Sequence, residues 1–153
     1  MEGPAVAPHP ADESIAATTD DIKRLLSQSL LVEDNLFIAI DAEDLLRSVG
    51  AENVVVANSV ADALAVLATR TFSFALLDVN LGSENSLPVA RYAKAHSIPF
   101  AFGTGYGEDL SMGETLADAP IITKPYHRIS MLKALDKLIV PKASAPESGC
   151  RSM

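Results

Sequence analysis

The sequence predicts an α/β fold of the doubly wound kind, a parallel five-stranded sheet with helices on both faces. Three observations predict it. Five short apolar runs recur along the chain, helical patterns fall between them, and the two are joined by short polar turns. Strands and helices in strict alternation make a parallel sheet whose crossovers cover it on both sides.

The strand runs lie at residues 30–32, 53–57, 72–77, 98–102 and 121–123. They show little alternation, as strands buried on both faces should. After the first run, Ile38, Ala42, Leu45, Leu46 and Val49 share one helical face. Ser59 followed by Asp62 marks the next helix start, with Val60, Ala63, Leu64 and Leu67 as its inner stripe. Ser86-Leu87-Pro88 opens a third helix, since proline fits a first helical turn. Leu132, Leu135 and Ile139 define the last. Residues 106–118 are rich in glycine and poor in apolar side chains, so the fourth helix is expected to be short or irregular.

Composition narrows the function classes. The 153 residues suffice for one domain with a core. A net charge of -8 argues against binding nucleic acid through its phosphates, which requires a basic patch. No apolar run approaches the roughly 20 residues that span a bilayer, and the first residues lack the pattern of a secretory signal. The single cysteine, Cys150, stands in a polar tail and reads as an incidental thiol. These features point to the cytoplasm. Residues 1–27 read as a disordered leader with helical character near Asp20 to Leu26, 28–140 as the folded domain, and 141–153 as a flexible tail.

The chemistry resides at the strand ends. In an open parallel sheet, ligands bind beyond the carboxyl ends of the strands. Glu33 and Asp34 follow the first run, Asp78 the third, Thr104 the fourth and Lys124 the fifth. Three carboxylates converging in one crevice repel each other unless a cation sits among them. Magnesium suits an all-oxygen set, and the absence of sulfur and histidine donors disfavours zinc. One carboxylate would then be the nucleophile toward a phosphoryl group, whose oxygens Lys124, Thr104 and the metal would together neutralise.

LLVEDN at 30–35, ALLDVNLG at 75–82, GTG at 103–105 and TKP at 123–125 together resemble the motifs of response-regulator receiver domains. The resemblance covers the core from about residue 30 to 140. It implies a flavodoxin-like (βα)5 sheet of order 2-1-3-4-5 and a cis Lys124-Pro125 bond. It assigns Asp78 as the phosphoacceptor, Asp34 as a direct Mg2+ ligand and Glu33 as its helper through water. Asn80 would offer its backbone carbonyl to the metal, Thr104 would be the switch hydroxyl, and Lys124 would pair with the phosphoryl group.

PFAFGTGYG at 99–107 resembles the FAT GUY subgroup of alphaproteobacterial single-domain regulators, with Gly103 where that subgroup usually has alanine. The usual aromatic three residues before the lysine is Ile121 here, which leaves Tyr106 as a substitute. The implied partners are a histidine kinase, of the HWE class in that subgroup, and a downstream protein. The implied state is a monomer or weak dimer that catalyses only its own phosphorylation and dephosphorylation. Two alternatives stand beside this reading. A phosphatase with an aspartate nucleophile would need an acid two residues on, where Asn80 stands and cannot deliver a proton. A receiver-fold interaction domain independent of phosphorylation would have no use for the acidic, threonine and lysine positions.

Overall fold

A computed structural model describes residues 15–105 and 118–139. Among the described residues the first element is α1 (Thr19–Leu26), followed by β1 (Gln28–Val32), α2 (Leu36–Ser48), β2 (Asn53–Ala57) and α3 (Val60–Thr69). Then come β3 (Phe74–Asp78), a small hairpin of β4 (Asn80–Leu81) and β5 (Glu84–Asn85), and α4 (Leu87–Ala95). The chain continues through β6 (Phe100–Thr104), β7 (Ile121–Thr123) and α5 (Arg128–Ile139).

Five strands pair in parallel in the order β2-β1-β3-β6-β7. Counting only these five, the order is 2-1-3-4-5. β1, β3 and β6 are the inner strands, and their continuous apolar character follows from the two layers they feed. Leu30, Val32, Ala75, Leu77 and Phe102 face α3 and α4, where Ala63, Leu67, Val89 and Ala93 meet them. Leu31, Phe74, Leu76 and Ala101 face the other way, onto Leu26, Leu46, Met131 and Leu135 of α1, α2 and α5. Successive strand residues point to opposite faces, so a strand covered on both must be apolar throughout.

The edge strands depart from that rule. Val56 in β2 and Ile121 in β7 are 41% and 49% exposed, because one flank of each strand has no neighbour to bring covering side chains.

The helix starts follow local chemistry. Ser59 accepts a hydrogen bond from the Asp62 N–H at 3.1 Å, and Asn35 caps α2 by accepting from Phe37 and Ile38. Each satisfies backbone donors that the first helical turn leaves open. Pro88 sits in the first turn of α4.

α1 carries a capping box between Thr18 and Asp21. Ile22 and Leu26, one turn apart, are buried in the layer beneath α5. Asp136 of α5 accepts from the backbone N–H groups of Ala16 and Ala17 at 2.8 and 2.7 Å. The segment read from sequence as a weakly helical leader is therefore packed and tied down from Ala16 onward. The apolar i, i+4 pair and the Asp136 contacts account for the difference. The expected irregular fourth helix, Tyr106, the first 14 residues and the tail from 140 lie outside the described residues. Among the described residues no helix is long and apolar enough to cross a membrane.

Candidate functional site

Glu33 and Asp34 sit in the bend between β1 and α2. The Glu33 N–H extends the sheet ladder to the Ala57 carbonyl at 3.0 Å, and its side chain accepts from the Asn35 N–H at 3.1 Å. Glu33 is 2% exposed, while Asp34 points to solvent. Asp78 closes β3 and is also 2% exposed; the next residue, Val79, donates to the Gly103 carbonyl at 2.9 Å. Carboxylate oxygens of Glu33, Asp34 and Asp78 lie within 4.8 Å of one another.

Lys124 enters from the end of β7. Its N–H donates to the Thr104 carbonyl at 2.7 Å, which fixes the backbone, and its ammonium reaches Asp78 Oδ1 at 2.8 Å and Glu33 Oε1 at 3.0 Å. The Lys124-Pro125 bond is cis. Thr104 ends β6, on the strand next to β3, and is buried.

Electrostatics at this cluster follow from burial. Loss of water pushes the Asp78 carboxyl up to about 7, Lys124 opposes that push, and the negative charge of Glu33 adds to it. Burial also works against the Lys124 charge, but its hydrogen bonds to Asp78 and Glu33 outweigh this and hold the ammonium above its ordinary value.

The hairpin after Asp78 was not anticipated from sequence. Asn80 donates its N–H to Asp78 Oδ1 at a long 3.4 Å, and its side chain accepts from the Gly82 N–H at 3.0 Å. Gly82 has φ +81°, a backbone region that favours glycine. A Cβ there would also meet Asp34 Oδ2 at 3.5 Å, so the hairpin tip lies beside that carboxylate. Glu84 then reaches across to accept from the Val60 N–H at 3.1 Å, tying the hairpin to the start of α3.

Of the residues singled out from sequence, Glu33, Asp34, Asp78 and Lys124 lie in direct proximity; Thr104 ends the strand beside β3, and Asn80 stands two residues after Asp78. The three acidic side chains offer only hard oxygen donors, which fit a magnesium ion.

Sequence reasoning missed Tyr126. Its ring rests on Gly103, where an added Cβ would overlap the Tyr126 hydroxyl and come within 2.7 Å of Cζ. The residue types are plain in the sequence, an aromatic two after the lysine and a glycine in the fourth strand, but nothing in their spacing says that they touch.

Comparison with solved structures decides the family. SdrG from Sphingomonas melonis Fr1 is 40% identical, over 76% of this chain and 98% of that one, with a TM-score of 0.64. The chain belongs to the response-regulator receiver family. A second SdrG structure, the BeF3-activated conformation from Pseudomonas melonis Fr1, is 38% identical over 75% of this receiver and 98% of that chain (TM-score 0.59). The CheY-like receiver domain from Methylobacillus flagellatus shares the fold at 24% identity, over 74% of this receiver and 98% of that chain (TM-score 0.59). No family model and no curated protein matches the sequence.

Proposed function

We propose that this receiver accepts a phosphoryl group on Asp78 from a phosphohistidine of a histidine kinase, with Mg2+ in the acidic crevice. A carboxylate oxygen of Asp78 forms a bond to phosphorus, the bond from phosphorus to the histidine nitrogen breaks, and an acyl phosphate results. Glu33, Asp34, Asp78 and the Asn80 backbone carbonyl would hold the ion, which when bound offsets charge on the transferring oxygens. Lys124 already stands 2.8 Å from Asp78, so its ammonium can follow the new phosphoryl oxygen. The Thr104 hydroxyl supplies a second donor from the adjacent strand.

The observation that carries this reading is the convergence of Glu33, Asp34 and Asp78 within 4.8 Å, with Lys124 bridging the two buried members. A second supports it. Leu36, Phe37 and Ile40 are 69%, 78% and 49% exposed on the first turns of α2, just after Asp34. A kinase delivering phosphate to Asp78 has to dock beside the crevice, and this apolar cluster stands there. The phosphoryl signal then leaves through a second protein, or the domain serves as a phosphate sink, in the cytoplasm.

Incubation with radiolabelled acetyl phosphate and Mg2+ tests the assignment. Label should enter the native protein, be lost with chelator, and be absent from Asp78→Asn. Labelling of Asp78→Asn at the native rate would place the nucleophile elsewhere, and repeated turnover of a phosphomonoester would favour a phosphatase.

A further inference from the structure

The strand that leads into Lys124 holds no aromatic side chain, but the residue just beyond the cis Lys124-Pro125 bond is one. Ile121 is aliphatic and 49% exposed at the sheet edge. Tyr126 occupies a different place. Its hydroxyl is buried, and its ring lies against the Cα of Gly103 with no space for even a methyl group between them.

Two features make that seat sensitive to the crevice. Gly103 pairs in register with Asp78 on one side and precedes Thr104 in the chain. Tyr126 is two residues from Lys124, whose ammonium spans Asp78 and Glu33. Movement of Thr104 displaces the floor under the ring, and movement of Lys124 displaces its tether. The ring also packs into the layer shared with Met131, Ala134 and Leu135 of α5. A close-packed interior transmits such a displacement instead of absorbing it.

We propose that Tyr126, seated on Gly103, is the aromatic reporter of this receiver, relaying the state of Asp78 to α5. The proposal rests on Asp78 being the phosphoacceptor.

The test uses the full chain labelled with 3-fluorotyrosine, in which the signals of Tyr92, Tyr106 and Tyr126 are assigned with Tyr126→Phe. Beryllofluoride with Mg2+ stands in for the phosphoryl group, and backbone amides of Asp78 and Thr104 report its binding independently. The expected result is a shift of the Tyr126 fluorine signal that exceeds that of Tyr92 and vanishes in Asp78→Asn. Amide shifts at Asp78 and Thr104 with an unmoved Tyr126 signal would overturn the relay and leave the phosphoacceptor intact. Silence at both amides and at Tyr126 would overturn the two together.

A second measurement separates relay from mere packing. In Tyr126→Leu, amide shifts at Met131 and Leu135 on adding beryllofluoride should be lost while those at Asp78 and Thr104 persist. Persistence of the α5 shifts would also overturn the proposal.

Discussion

A single ammonium, Lys124 Nζ, stands 2.8 Å from Asp78 and 3.0 Å from Glu33, shared between two carboxylates that are each 2% exposed. One positive charge cannot balance these two and Asp34 as well, so the metal-free crevice carries an excess of negative charge. Several measurable properties follow from that imbalance.

Asp78→Asn should stabilise the metal-free protein at neutral pH. Burial raises the folded-state carboxyl from 3.8 to about 7. Between those values the folded protein holds a proton that the unfolded chain has released, so stability falls as pH rises through that window. Removing the ionisable group removes the penalty, by about 1–3 kcal/mol at pH 7.5. Urea denaturation in the presence of chelator at pH 5 and pH 7.5 measures it; the gain should be larger at the higher pH.

Affinity for Mg2+ should weaken as the solution is acidified through about pH 7, because a proton on Asp78 competes with the ion. The loss approaches roughly tenfold per pH unit for one competing proton. Titration calorimetry across pH 5.5–8 gives the slope, and Asp78→Asn should flatten it.

Lys124→Met should destabilise the metal-free protein by about 3 kcal/mol, since it strands two buried carboxylates without their cation. Millimolar Mg2+ should restore part of that loss. Thermal unfolding with and without the ion distinguishes lost charge balance from lost packing, which the metal would not repair.

Glu84→Ala should lower stability by about 1 kcal/mol, the usual cost of an open helix N-terminus. Glu84→Gln keeps an accepting oxygen and should recover most of it. The same denaturation curves serve for both variants.

Leu36→Ser with Phe37→Ser should change stability by no more than about 0.5 kcal/mol, because both side chains are exposed. Phosphotransfer from a cognate kinase should slow about tenfold or more, while labelling by acetyl phosphate stays unchanged. Equal slowing with both donors would mean that the patch acts on the crevice and not on docking.

The strand ends were legible because inner strands write themselves as unbroken apolar runs, and the polar residue that ends each run is conspicuous. Asp78 after Phe74–Leu77 is the plainest case. The hairpin over Asn80 to Asn85 was not legible, since two-residue strands of polar side chains look like any turn. α1 was partly hidden by its polar surroundings; only Ile22 and Leu26 betray a buried face, and the Asp136 contacts that hold its start span more than a hundred residues. Tyr126 against Gly103 was illegible for a further reason. Such a contact depends on how closely two backbones approach, which no periodicity encodes.

Those bonds from Ala16 and Ala17 to Asp136 have a practical corollary. They bring the first described residues alongside the end of α5. The start of the described stretch therefore lies beside the last described turn of α5. A short linker from α5 to Ala16 would splice them into a circularly permuted domain, reopened in an exposed loop such as 82–83, and fluorophores attached at Ala16 and Asp136 would begin close together.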